Sequence, residues 1–238
     1  MGARAQFSFT KGQLMKLYMH PVSMTSRPIR LFIAEHGLDV EEKLVDLMTG
    51  EHHQPHFVEV NPNRQVPVLE DGDLRLTESS AILKYLADKI GSPTYPKDLK
   101  QRARVNERMD WFNTQFYRDY AYNLIYPQIF PHHKRPTDDV QAGTLAWGKQ
   151  RTQTWLSILN DHIIGKDNQY VCGNELTIAD YFGVSLLTLG EVVGSDFSEY
   201  PNVARWVANM KKLKTWKSVN EALYGLRDAI SGQSFEKI

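Results

Sequence analysis

The chain has 238 residues, 42% of them hydrophobic, which is enough for one large or two ordinary domains, each with its own core. Lys and Arg number 28 and so do Asp and Glu, so there is no global field to draw nucleic acid or an anionic membrane, and no nucleic-acid motif or membrane-length apolar run is present. The single cysteine, Cys172, excludes an internal disulfide framework. A neutral enzyme acting on small molecules fits this balance best. Residues 1–14, MGARAQFSFTKGQL, contain Arg4 but no apolar stretch of signal-peptide length; they read as an N-terminal extension, and the cytoplasm follows as the expected compartment.

From Met15 onward the order is strand (Lys16 to His20), helix (Ser26 to His36) and strand (Glu42 to Asp46), then a His-rich loop with a helical turn, a hairpin and a second helix. Ile29, Phe32 and Ile33 share one face of the first helix, and Gly37 follows it as a C′ residue. The segment from His20 to Arg30 joins the first strand to this helix and carries three hydroxyls, Ser23, Thr25 and Ser26. Ser26 is the best N-cap among them, with Pro28 in the first turn, where its missing N–H does no harm.

The stretch from Asn61 to Leu86, NPNRQVPVLEDGDLRLTESSAILKYL, is the most informative. Pro67 leaves the N–H and C=O of Val66 free to pair with a ligand backbone like an added edge strand, and Val66-Pro67 is a candidate cis peptide. Asp71-Gly72 marks a hairpin between Val68-Leu69 and Leu74–Leu76. Thr77-Glu78-Ser79 then opens a helix with Ile82, Tyr85 and Leu86 on its apolar face, and its free N–H groups point at any approaching carboxylate.

Turn residues from Gly91 to Pro96 break the pattern and mark a linker. Helical stretches follow at about Leu99 to Asn123, Val140 to Ile163, Ile178 to Val192, Val203 to Lys211 and Trp216 to Leu226. The expected organisation is therefore an extension (1–14), an α/β domain (15–90), a linker (91–98), an all-helical domain (99–226) and a tail (227–238). Thr177-Ile178-Ala179-Asp180 reads as a capping box, a structural feature rather than a site. Cys172 reads as a small buried filler.

In this order the elements resemble the cytosolic glutathione transferase family: a thioredoxin-like N-terminal domain plus an all-α C-terminal domain. The resemblance covers nearly all of residues 15–226, with the Thr177–Asp180 box as its second signature and Asp180 expected to be buried. It implies that the Val66 backbone, next to Pro67, holds the cysteinyl part of glutathione and that Glu78 and Ser79 hold its γ-glutamyl end. Gly50-Glu51-His52 is similar to the Gly-x-His triplet of the theta class, which brings His52 to the glycyl end, and Gln65 stands where the family uses Lys or Gln for that end. Three histidines so close could suggest a metal, but no Cys or carboxylate accompanies them at ligand spacing, and no metal is expected.

A free thiol has a pKa of roughly 8.5, so a transferase must favour the thiolate, and a hydroxyl donated to sulfur at a helix N-terminus does this. Ser26-Arg27-Pro28-Ile29-Arg30 resembles the Ser-x-Pro-x-Arg pattern of the theta and delta classes, whose catalytic serine stands two residues before the proline; that selects Ser26. Counting forward from the strand selects Ser23, and both remain candidates. Matching Pro21 to the family puts Met19 at the position of the tyrosine-type donor, so Tyr18 points to the other face of its strand. The beta class carries cysteine at the position of Met24, so a mixed disulfide is impossible at this loop.

The acceptor pocket is expected where the two domains face each other, bordered by Tyr117 and Tyr120. The expectation is a bacterial theta-like, serine-type transferase with glutathione as co-substrate and a small, electrophilic, largely apolar acceptor. The resemblance also implies a homodimer, without nucleic acid or membrane partners. A glutathione-dependent disulfide or peroxide reductase and a non-catalytic transferase-like binding module are the alternatives.

Overall fold

The structure is a computed structural model that describes residues 14–238; the extension expected over residues 1–14 lies, but for Leu14, outside them. Four strands form one mixed sheet in the order β2–β1–β3–β4. Strand β1 is Met15–Met19, and its alternation buries Met15, Leu17 and Met19 on the face that meets helix α1, Arg27–His36. Strand β2, Val40–Leu44, runs parallel to β1, with Met15 opposite Val40 and Met19 opposite Leu44. It begins two residues before the expected Glu42, because an edge strand with mostly half-exposed and exposed side chains gives no apolar alternation to fix its ends.

The short helix α2, Pro55–Val58, covers the other face of the sheet with Phe57, which gathers Val45, Val66 and Val68 into a second, smaller core. Tyr18 lies on this face, edge-on to Phe57 at 6.3 Å, and donates to Glu70 Oε2 at 3.1 Å. Strands β3 (Val68–Asp71) and β4 (Leu74–Leu76) form the hairpin, and helix α3 (Ser79–Lys89) returns across the sheet. The Val66-Pro67 peptide bond is cis.

Every later element is helical. Helix α4, Leu99–Trp111, is capped by Asp98, whose Oδ1 accepts from Lys100 N at 3.1 Å and Gln101 N at 3.0 Å. It runs on through wide turns of the i→i+5 kind at Phe112–Phe116 and Arg118–Ile125 into α5, Tyr126–Ile129. Helix α6, Asp138–Ile158, ends in another such turn, Leu159–Ile164. Helix α7, Ile178–Leu187, is buried along its whole length. Its capping box is formed, and Asp180 Oδ1 also accepts from Val171 N at 2.8 Å and Trp206 Nε1 at 2.9 Å. Burial pushes this carboxyl up to about 6, against the donors that favour its charge.

Helices α8 (Pro201–Met210) and α9 (Trp216–Ile230) complete the domain. Helix α9 extends past the expected Leu226 because Ile230 still has apolar surface to cover. The tail therefore starts at Ser231, and it is tied down by Glu236 N to Gln128 Oε1 at 2.7 Å. Among the described residues no helix is long and apolar enough to cross a membrane.

Helix α1 joins the two halves. The fully buried Arg27 donates to Asn220 Oδ1 at 2.7 Å, to Thr188 Oγ1 at 3.2 Å and to the Ser185 carbonyl. Burial lowers the guanidinium to about 10, so it stays charged at neutral pH. Glu35 Oε1 accepts from Thr215 N at 2.6 Å, and Arg30 donates to the Val219 carbonyl at 3.2 Å.

Candidate active site

A cleft of about 430 Å³ opens between the sheet domain and the wide-turned helix α4. Its floor is the loop between β1 and α1. Ser23 N donates to His20 O at 3.0 Å, and Ser23 O then accepts from Arg27 N at 2.9 Å, so helical hydrogen bonding begins at Ser23. The Ser23 side chain completes the cap: its Oγ accepts from Ser26 N at 3.2 Å. Ser26 already has helical backbone angles (φ −82°, ψ −37°) and makes no side-chain cap.

Ser23 is half-buried and lines the cleft. Ser26 is fully buried away from it, and its Oγ has no hydrogen-bond partner among the described residues. The serine that the proline-based register selects thus lies inside the first helical turn, which opens three residues earlier, at Ser23. Thr25, which sequence reading passed over, links the two sides of the loop: its Oγ1 is 3.0 Å from Ser23 Oγ and donates to the Val66 carbonyl at 3.1 Å.

Val66 and Pro67 form one side of the cleft, with Gln65 and Arg64 beside them. This strip is held by the buried Asn61, whose Nδ2 donates to the Gln65 carbonyl at 2.7 Å and whose Oδ1 accepts from Asn63 N at 3.0 Å. Arg64 is exposed, in a left-handed backbone conformation (φ 56°). Glu78 also has positive φ, 63°, which costs about 1–3 kcal/mol for a non-glycine residue and turns the start of α3 towards the cleft. Ser79 follows, buried, in the first turn of α3. The residues expected for the two ends of a tripeptide, His52, Gln65, Val66, Pro67, Glu78 and Ser79, all line this cleft.

His52 packs against His53 with ring centroids 3.9 Å apart and the rings tilted at 44°. Burial lowers its pKa, and His53 and His132 lower it further. Its Nδ1 is buried without a partner among the described residues. Among those residues no three His, Cys, Asp or Glu side chains come together to hold a metal. Cys172 is half-buried beside Gly173, and burial pushes its thiol up to about 12, so it is inert as a nucleophile.

The opposite wall is aromatic. Tyr117 lines it, but Tyr120 does not: its ring is fully buried and its hydroxyl donates to the Leu187 carbonyl at 2.8 Å. Asn113, Tyr117, Tyr122 and Tyr126 face the cleft in steps of four, five and four residues, the stride of i→i+5 turns, whereas α-helical spacing from Tyr117 selects Tyr120. Tyr126 donates to Met24 Sδ at 2.8 Å, and its oxygen is 3.4 Å from that of Tyr117. Burial raises both phenols, so they are neutral hydroxyls at every physiological pH. Phe130, His132 and His133 extend this wall.

Residues 13–88 match the family model described as glutathione S-transferase, N-terminal domain, and residues 148–213 match glutathione S-transferase, C-terminal domain. A delta-class glutathione transferase of Nilaparvata lugens is 32% identical over 92% of this chain and 99% of its own, with a TM-score of 0.78. Human glutathione transferase theta-2, solved with glutathione, is 26% identical over 94% of this chain and 93% of its own, at 0.79. A Drosophila mojavensis glutathione transferase homolog with bound glutathione is 27% identical over 94% and 99%, at 0.78.

Proposed function

The chain belongs to the glutathione S-transferase family, and on that premise we propose that it binds glutathione in this cleft and that the Ser23 hydroxyl donates to its sulfur. One observation carries the assignment: of the two serines in the loop, Ser23 lines the cleft and caps the helical turn, while Ser26 is sealed inside. In the proposed complex the Val66 main chain pairs with the cysteinyl backbone. Glu78 meets the γ-glutamyl ammonium, and Ser79 with the α3 N-terminus meets its carboxylate. His52 and Gln65 meet the glycyl carboxylate.

The thiol loses its proton to solvent because two effects favour the thiolate over the desolvation that opposes it: the donated hydroxyl and the partial positive end of α1. The sulfur lone pair then forms the bond to an electrophilic carbon held near Tyr117 and Tyr126, and the leaving group departs with its electron pair. A homodimer belongs to the same proposal, supported by family membership alone.

The test is the ultraviolet absorbance of bound thiolate against pH. Wild type is expected to show a pKa well below that of free glutathione, Ser23→Ala to return it to roughly 8.5, and Ser26→Ala to leave it where it was. A Ser23→Ala profile that overlays wild type removes Ser23 from the mechanism.

A further inference from the structure

The wall facing the proposed thiolate is not simply apolar. Tyr126 and His133 lie 4.9 Å apart at 32°, Phe130 and His132 5.8 Å apart at 23°, and Tyr122 meets Tyr126 at 5.1 Å and 77°. Together these rings make a slot that suits the face of another aromatic ring. Its rim carries two imidazoles, which an entirely apolar acceptor would desolvate at a cost with nothing to offset it.

The titratable side chains around the slot are mostly basic. Among the described residues lining the cleft Glu78 is the sole carboxylate, and the proposed complex already uses it for an ammonium. His20, His52, His53, Arg64, His132 and His133 are the remaining titratable or charged lining groups, apart from the three tyrosines. In the His132–His133 loop, Arg135 donates to the Tyr122 carbonyl at 2.9 Å, and Lys134 lies 3.7 Å from the almost fully exposed Asp138. The phenols of Tyr117 and Tyr126 are neutral. Burial, His132 and Arg135 all depress His133, and no carboxylate among the described residues raises it.

We propose that this wall is a subsite for a flat aromatic acceptor carrying an acidic group, its ring lying against Tyr122, Tyr126 and Phe130 and its carboxylate meeting His132 and His133. This rests on the transferase reading, since glutathione occupies the opposite half of the cleft. An arriving carboxylate supplies the anion that the site lacks and draws a proton onto His133, so affinity for the anion rises as pH falls.

Two unreactive probes of nearly equal shape separate the charge from the ring: 3,5-dinitrobenzoate and 3,5-dinitrobenzamide, titrated by calorimetry into protein saturated with glutathione. The expected result is preference for the benzoate at pH 6, with that preference falling about fivefold by pH 8 as the imidazoles lose their protons. The double variant His132→Gln/His133→Gln is expected to bring the two affinities together. His133→Lys is expected to keep the preference and remove most of its pH dependence. Equal affinities in wild type, or a preference that survives the double variant, overturn the proposal. Failure of the transferase reading is seen separately, as no heat with glutathione alone; the two probes titrated into the unliganded protein and the double variant then decide the subsite by the same ratio.

Discussion

At the scale of single residues, the proton count around Thr25 is decisive. A threonine hydroxyl has one proton, and that of Thr25 goes to the Val66 carbonyl, so in the 3.0 Å contact with Ser23 it is Ser23 that donates. Thr25 thereby orients the Ser23 hydroxyl and ties it to the strip expected to hold the ligand backbone. When a ligand N–H reaches the Val66 carbonyl, Thr25 can turn its proton to Ser23 and free the Ser23 proton for sulfur. Thr25→Val is expected to lower kcat/KM by about threefold to tenfold, the worth of one neutral hydrogen bond, and to raise the bound thiol pKa. Thr25→Ser should restore both; if it does not, the methyl group rather than the hydroxyl matters at this position.

His52 gives a second prediction at this scale. Its pKa is lowered by burial first and then by His53 and His132, so it is largely neutral above its ordinary 6.5. A carboxylate at His52 reverses the shift, and glutathione binding near pH 6 should take up protons. Calorimetry in buffers of different ionisation enthalpy measures that uptake, and His52→Gln should remove most of it; equal uptake in the variant would assign the proton elsewhere. Turn and cap signals in the sequence are local to His52, Gln65, Val66, Pro67, Glu78 and Ser79, and all six line the cleft. The sequence left Ser26 and Ser23 both open because Pro28 is compatible with more than one helix start, and only the bonds from Ser26 N and Arg27 N back to Ser23 decide which start is used.

At the scale of elements, the wide turns of α4 decide which side chains reach the cleft. Apolar periodicity placed a helix from Leu99 onward correctly, but periodicity assumes 3.6 residues per turn, and the i→i+5 segments shift every later residue around the axis. Tyr120 is turned into the core against Gly190, and Tyr122 and Tyr126 come to the cleft. No residue type signals such a turn, so this part of the wall was not legible. Its backbone is pressed against α6 at Gly148, where an added Cβ would lie 2.6 Å from the Asn123 carbonyl carbon and oxygen. Backbone cannot rotate away as a side chain can, so Gly148→Ala should destabilise by about 1–3 kcal/mol or more. Because Asn123 follows Tyr122, the same change should weaken acceptor binding. Chemical denaturation and acceptor KM measure the two effects, and an unshifted midpoint would mean that α6 moves freely against α4.

At the scale of the whole molecule, the residues proposed to hold glutathione sit on the sheet domain and the proposed acceptor wall sits on the helical domain, so the cleft is only as well formed as the docking between them. That docking is polar at its centre: a fully buried guanidinium whose partners are the amide of Asn220, the hydroxyl of Thr188 and the carbonyl of Ser185. The sequence announced each domain through its own periodicity, whereas Arg27 and Asn220 are 193 positions apart and nothing local to either marks the pair. Removing the acceptor leaves a buried cation short of a partner, which costs about 1–3 kcal/mol, more for a charged group. Asn220→Ala should therefore lower stability and, by loosening the helical wall, raise acceptor KM severalfold while glutathione affinity changes little. Parallel titrations of the two substrates read that split. Equal loss for both would mean that the sheet domain needs the docked helices to hold its own half of the site.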